Sequence, residues 1–325
     1  MQIDVYGLGN ALIDALVVGD DSQVLARHSL RRGTMLLVDH EKWHQVYEEV
    51  RGTGVELHPG GSASNAVCTV AALGGRAGFC GLVGDDELGK SYSDSLTALL
   101  GEHDLVQSPD QPTGKCLSLV SDADAERTML TDLGTAMALP PEQLPQARLE
   151  ASEWFFLTGY LFTGNRMPET AWRALDRARA AGVRIAFDVA DAFVIEHCRE
   201  AVNRVIDEYA DVVFLNEAEG RLLVGGEPHE IIEGLCSRTE VVVLKRGHEG
   251  SIVRSADTTL NIDVVPVHAV DTTGAGDSYA GGFLYGLARG WELDRCGRLA
   301  SAVASLTVSQ VGGVVRDVEA LRALI

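Results

Sequence analysis

The stretch DTTGAGDSYAGGF, residues 271–283, sets two carboxylates, Asp271 and Asp277, around a pair of threonines and a Gly-Ala-Gly turn. Beyond the turn, Tyr279, Phe283 and Leu287 recur at helical spacing, so Gly274, Ala275 and Gly276 open a helix. Small residues at such a helix start let successive backbone N–H groups point at a bound anion, and the positive end of the helix adds to the attraction. An acid at 277 that merely capped the helix would compete with the anion for those N–H groups. The two features agree if the turn holds a phosphoryl group while Asp277 accepts a proton from the hydroxyl that attacks it. A glycine-rich turn ending in an N-terminal acid is the alternative that this stretch alone leaves open.

The rest of the chain narrows the setting. With 325 residues, 46% of them hydrophobic, it is long enough for one large elaborated domain or for two. The formal net charge of −20, without any Lys/Arg run, opposes a nucleic-acid partner. The opening MQIDVYGLGNALIDALV has no basic leader and no small-residue cleavage site, and no stretch reaches the roughly eighteen uninterrupted apolar residues of a membrane helix. Neither a signal peptide nor a membrane partner is expected. The six cysteines lack C-x-x-C spacing, which suits reduced thiols in the cytoplasm better than a disulfide framework or a zinc site.

Short β-rich runs (IDVYGLG, RAGFCGLVG, EWFFLTG, VRIAFDV, DVVFLN, VVVLKRG) alternate with helical segments, which argues for a mainly parallel sheet with helices on both faces. In PETAWRALDRARAAG the residues Trp172, Leu175, Ala178 and Arg179 fall on one helical face and Gly182 is a plausible stop, so this segment reads as a crossover helix. Two regions break the rhythm, 15–38 and 105–136. The second reads as two strands joined by a polar turn at residues 121–125. Together they predict a small β lid over a main domain formed by 1–14, 39–104 and 137–325.

Two further motifs mislead. GDDELGKS, residues 84–91, fits the P-loop spacing between a strand and a helix, but Asp85, Asp86 and Glu87 would crowd negative charge against the phosphates. Acids in a first helical turn are instead good capping chemistry. GLGNAL, residues 7–12, starts like a dinucleotide fingerprint and has Leu12 where the third glycine belongs.

DTTGAGDSYAGGFL resembles the C-terminal D-T-x-G-A-G-D signature of the ribokinase (PfkB) family of sugar and nucleoside kinases, with Thr273 in its variable position. PGGSASNAVCTVAALGG, residues 59–75, resembles the family's N-terminal Gly-Gly signature, and VGDDELG follows it as it commonly does in that family. NEAE, residues 216–219, matches its N-x-x-E element, and LKRGHEG, residues 244–250, sits where it keeps a strand and glycine turn against the nucleotide. Read individually, Gly60-Gly61 is also a tight turn before a helix capped by Ser62 or Ser64, and Asn216 with Glu219 is also a capping-box pair. Four elements in the family's order are harder to explain as caps and turns.

The resemblance implies a ribokinase-like α/β fold of three layers with the β lid, and ATP-dependent phosphorylation of a primary hydroxyl. It implies Asp277 as base and the N–H groups of Gly274, Ala275, Gly276 and Asp277 as anion hole. Lys245, Gly247, Gly250, Thr272, Gly274 and Gly276 are implied around ATP, and Asn216 and Glu219 around Mg²⁺ through its waters. Asn10, Asp14, Gly61, Asn65 and Arg127 are implied around the acceptor, and a monovalent cation is a further candidate cofactor. VYGLGNALID, GGSASN and IAFDVADAFVIE look most like the adenosine kinase branch, with a fructokinase- or ribokinase-type sugar kinase as the alternative acceptor class. A small-molecule sensor on the same fold, without catalysis, is the alternative of another kind. Leu16, Met35, Leu37, Cys116, Leu117 and Leu119 are candidate apolar walls for a nucleoside base. Monomer and homodimer both remain open.

Overall fold

A computed structural model of the chain describes residues 2–123, 126–164, 166–256 and 258–325. Its main layer is an eight-stranded sheet with the spatial order Thr258–Ile262, Ser251–Ser255, Val241–Lys245, Val212–Asn216, Arg184–Asp188, Ser152–Thr158, Ile3–Leu8 and Ala77–Cys80. Every pairing from Val241–Lys245 to Ala77–Cys80 is parallel. Ser251–Ser255 and Thr258–Ile262 add two antiparallel strands at one edge. All six β-rich runs of the sequence contribute to this sheet. RAGFCGLVG divides: Ala77–Cys80 joins the large sheet, while Leu82–Gly84 pairs with Val106–Ser108 in a separate ribbon.

The strands are buried on both faces because alternate residues enter different cores. Phe155 and Leu157 pack with the helices Met167–Ala181 and Ala192–Glu208 on one side. Their neighbours Trp154 and Phe156 pack with the helices Ser62–Ala72, Ala275–Leu287 and Leu293–Val308 on the other. This accounts for runs as uniformly apolar as VVVL, which show no alternation along the sequence. The expected crossover helix is Met167–Ala181, closed by Gly182 in the left-handed region at φ 74°.

The second sheet has five strands in the order Met35–Leu37, Arg127–Asp132, Gly114–Ser121, Leu12–Gly19 and Glu56–Gly60. Gly114–Ser121 and Arg127–Asp132 form an antiparallel pair; part of the polar turn expected at 121–125 lies outside the described residues. This sheet draws on more chain than 15–38 and 105–136. Its edge strand Glu56–Gly60 and the helix His40–Val50 fall within the range the sequence assigned to the main domain, and the first region also contains the helix Ser22–His28. That helix and His40–Val50 cover one face through Leu25, Trp43, Val46 and Val50, which pack on Ala15, Val17, Leu117, Leu119 and Leu130. Leu117 and Leu119 therefore belong to the small sheet's own core and are no walls of a ligand slot. Strand alternation puts Leu16 on the same face as Asp14, and Cys116 directly opposite Asp14 in register, on the uncovered face.

Candidate active site

The carboxyl ends of adjacent parallel strands deliver most of the polar groups to one crevice, beside the point where the strand order reverses around Ile3–Leu8. Asp188 ends one strand, Asn216 the next and Lys245 the one after. The helix Ala275–Leu287 aims its N-terminus at them. Gly274 forms its cap at φ 70°, where a Cβ would lie 2.4 Å from the carbonyl oxygen of Gly313. Only glycine fits that turn.

No side chain caps this helix. Asp277, in its first turn, faces sideways: Oδ1 accepts from Ser62 Oγ at 2.6 Å and Oδ2 from Asn65 Nδ2 at 2.9 Å. The N–H groups of Gly276 and Asp277 have no carbonyl four residues back within the helix. Burial raises Asp277 above the ordinary carboxylate range, with Asp188 adding and Ser62, Asn65 and Lys245 opposing. A carboxylate raised in this way and held by two donors is a competent proton acceptor.

Asp14 lies across the crevice on Leu12–Gly19. Burial pushes its carboxyl up to about 7; Asp277 and Asp271 push the same way and Arg127 opposes them. Gly61 has φ 96°, and a Cβ there would stand 2.1 Å from the Asn10 carbonyl oxygen, so the glycine is demanded by its own backbone contact. Asn10 donates from Nδ2 to the Ala136 carbonyl at 2.9 Å and thereby ties the turn Gly134–Met137 to the end of the first strand. Arg127 pairs with Asp271 Oδ1 at 2.8 Å.

Asn216 and Glu219 form a reciprocal capping box at the start of the helix Glu217–Leu223. Burial raises Glu219, only 1% exposed, to about 7, with Lys245 opposing and Asp188 adding. Burial by itself would lower Lys245, but Asp188, whose Oδ2 accepts its ammonium at 2.6 Å, and Glu219 hold it above its usual value. Asp188, Asn216, Glu219, Lys245 and Asp277 share a cavity of about 310 Å³ with Gly274, Ala275 and Gly276. A larger one of about 570 Å³ adjoins it, lined by Lys245, Gly247, Gly250, Thr272, Ala275 and Gly276 and walled by Val264, Val265, Val267 and Val308.

A crevice that joins an uncapped helix N-terminus, a buried carboxyl and an apolar chamber is suited to hydroxyl attack on a bound phosphoryl group. The model of the pfkB family of carbohydrate kinases matches residues 34–319. The chain belongs to that family. It is similar to adenosine kinase of Saccharomyces cerevisiae, 27% identical over 96% of each chain. It is similar also to nucleoside kinase of Methanothermobacter thermautotrophicus, 30% identical over 79% of this chain and 80% of that one. The crystal structure of adenosine kinase from Sinorhizobium meliloti superposes with a TM-score of 0.89 at 30% identity and covers 99% of each chain. This kinase thus stands on the adenosine kinase branch of a ribokinase-like fold. It is an ATP-dependent phosphotransferase acting on an alcohol group of a nucleoside or sugar.

In this kinase the sequence-derived residues Asp277, Asn65, Lys245, Gly247, Gly250, Thr272, Asn216 and Glu219 gather around the two adjoining cavities. Asn65 directs its amide to Asp277. Three participants escaped the sequence reading. Ser62 bonds Asp277, Asp188 anchors Lys245, and Asp271 accepts from Thr273 and from the Gly312 N–H while pairing with Arg127. Asp188 closes the apolar strand RIAFD, a position from which it was legible as a crevice residue.

Proposed function

We propose that this kinase transfers the γ-phosphoryl group of ATP to the 5′-hydroxyl of a purine nucleoside, adenosine foremost. The reading is carried by one observation: Asp277, raised by burial and held by Ser62 and Asn65, lies beside the uncapped helix N-terminus and acts electrostatically on Asp14 across the crevice. Asp277 accepts the hydroxyl proton as the oxygen attacks. The N–H groups of Gly274, Gly276 and Asp277 stabilise the charge on the transferring group, while that of Ala275, also expected there, donates to the Thr272 carbonyl at 3.3 Å. Asp14, once ionised, accepts two neighbouring sugar hydroxyls, and the triphosphate extends past Lys245 and Thr272 so that its base enters the apolar chamber.

Three carboxylates, Asp188, Glu219 and Asp277, share that cavity with one ammonium, Lys245. A cation fits this imbalance. Among the described residues no group of His, Cys, Asp and Glu side chains forms a direct metal cage. Magnesium held through water by Asn216 and Glu219 is the matching arrangement, and when bound it neutralises the phosphates. A monovalent cation beside the anion turn is part of the same proposal. The small sheet serves as a lid that excludes water from ATP. Its uncovered face, with Leu16 and Cys116 beside Asp14 and with Met35 and Leu37 on the far edge strand, suits a flat base better than a free hexose. The six free cysteines accord with a cytoplasmic enzyme, working as monomer or homodimer on a small molecule.

The test is a panel of nucleosides and free sugars with ATP, following ADP release across a magnesium titration. Adenosine should show the highest kcat/KM, and the rate should vanish with EDTA. A clear preference for fructose or ribose would transfer the enzyme to the sugar kinases and leave the chemistry intact. No turnover with any acceptor would favour the sensor.

A further inference from the structure

Two arginines cross between the small sheet and the main layer, in opposite directions. Arg127 reaches from the small sheet to Asp271 at 2.8 Å. Arg316, on the segment that follows the helix Leu293–Val308, reaches the other way: its Nη2 lies 3.1 Å from Glu56 Oε2 and 2.9 Å from His58 Nε2. Glu56 and His58 stand on the edge strand Glu56–Gly60, and the strands Leu12–Gly19 and Gly114–Ser121 lie between it and Arg127's strand. The sheet is therefore pinned on both sides of the strand that carries Asp14. Register places His58 opposite Asp14 and Glu56 opposite Leu16, so a shift of the edge strand is passed directly to the residues facing the crevice.

The segment that carries Arg316 is itself anchored at the site. The Gly312 N–H donates to Asp271 Oδ2 at 3.0 Å, Ser278 Oγ donates to the Gly313 carbonyl at 3.3 Å, and a Cβ on Gly313 would lie 2.9 Å from Asn65 Nδ2. Inside the contact lies a cavity of about 420 Å³ lined by Leu16, Val18 and Glu56 from the small sheet and by Gln310, Val311 and Arg316 from the segment. Its walls come from two separate elements. It exists only while they are held together.

We propose that Arg316 is a positioning residue for the acceptor: by latching Glu56 and His58, whose strand pairs with that of Asp14, it holds Asp14 over the acceptor. The inference rests on the reading that the acceptor lies between Asp14 and Asp277. His58 Nε2 also lies 3.1 Å from Glu56 Oε2, so Arg316, Glu56 and His58 form one three-membered cluster. With side chains 55% and 57% exposed, Arg316 and Glu56 make a weak, salt-sensitive contact. That strength suits a latch that opens at every turnover.

The experiment compares Arg316→Gln, Arg316→Lys and wild type in steady-state kinetics with ATP, magnesium and the best acceptor of the panel. Arg316→Gln should raise the acceptor KM about two- to fivefold, the scale of an exposed ion pair, with kcat and the ATP KM unchanged. Arg316→Lys should recover part of the loss. Added salt should raise the wild-type acceptor KM and leave that of Arg316→Gln flat. Arg204→Gln, which breaks an exposed pair with Glu208 on the helix Ala192–Glu208, is the control and should change nothing. Glu56→Gln reads the same latch from the other side and serves if Arg316→Gln misfolds. An unchanged acceptor KM in both, or an equal change in the ATP KM, overturns the latch. Asp14→Ala separates the two readings. If it raises the acceptor KM while Arg316→Gln does not, only the latch fails; if neither moves it, the acceptor site is misplaced.

Discussion

The helices Glu87–Leu100 and Ala275–Leu287 both start behind a glycine-containing turn, and both have an acid near the N-terminus, yet these two N-termini are occupied in opposite ways. At the first, Asp86 is the N-cap: its carboxylate accepts from the Gly89 N–H at 2.8 Å and from the Thr113 N–H and hydroxyl at 2.7 and 2.6 Å. These donors outweigh burial and hold Asp86 below the ordinary carboxylate range. At the second, the cap is a glycine, the acid turns to Ser62 and Asn65, and burial raises it. One helix N-terminus is filled by its own side chain and the other is not, which leaves its dipole uncompensated from within the chain. A motif states the spacing of residues, whereas what occupies the helix N-terminus decides whether a phosphate can bind there.

The largest effect separating these helix N-termini should come from Asp277→Asn. Asparagine keeps the shape and cannot take the proton, so kcat should fall by about 10²–10⁴ while folding and ATP binding persist. Stopped-flow or coupled ADP assays with the best acceptor read this directly, and thermal melting checks the fold. If Asp277 were a cap like Asp86, the variant would lose stability and keep its rate within a few-fold.

The raised carboxyls give the comparison a pH signature of intermediate size. In the proposed site Asp14 accepts two hydroxyls, for which it must be ionised, and its carboxyl is pushed up to about 7. Below that value the acceptor KM should climb by up to about tenfold per pH unit, the limit for one ionisation. Asp14→Asn should flatten the profile. The stability of the ligand-free enzyme should move in the opposite sense. A carboxyl raised by folding contributes stability that is fully present below its ordinary value of 3.8 and is lost as the pH rises through about 7. Melting temperatures measured between pH 5 and 8 should therefore fall across this window in wild type, and less so in Asp14→Asn. A wild-type acceptor KM that is level from pH 5 to 8 would mean that Asp14 does not titrate in the site.

The sequence disclosed the large sheet more completely than the small one, for a physical reason. Strands such as Val241–Lys245 are buried on both faces, so they stand out as unbroken apolar runs between helical segments. The small sheet is covered on one face only, and its edge strand Glu56–Gly60, ELHPG, has a polar and glycine-proline composition that looks like a turn. Its extent could not be read for that reason. In the site, residues inside a compact motif were legible: Gly274, Asp277, Asn216 and Glu219. Ser62, Asp188 and Asp271 acquire their partners only when the fold brings together positions 215, 57 and 144 residues apart. For Leu117 and Leu119 the spacing was right and the face wrong, because strand alternation fixes which residues share a face but not which face looks at the ligand.

The smallest expected effect belongs to Lys90, and it tests the other half of the comparison. In a true P-loop the lysine reaches the phosphates, and its loss is severe. Here the Lys90 side chain is 75% exposed and pairs with Asp94 at 2.5 Å, one helical turn along the same helix. Asp86 already fills the helix N-terminus below it. Lys90→Ala should leave kcat and the ATP KM within about a factor of two, with a stability change no larger than that of a typical exposed helical pair, about 0.3–0.5 kcal/mol. ATP titrations at saturating acceptor, run beside Asp277→Asn, make the contrast quantitative. A tenfold rise in the ATP KM of Lys90→Ala would place nucleotide phosphates at the capped helix, and the inference that an occupied N-terminus excludes them would fail with it.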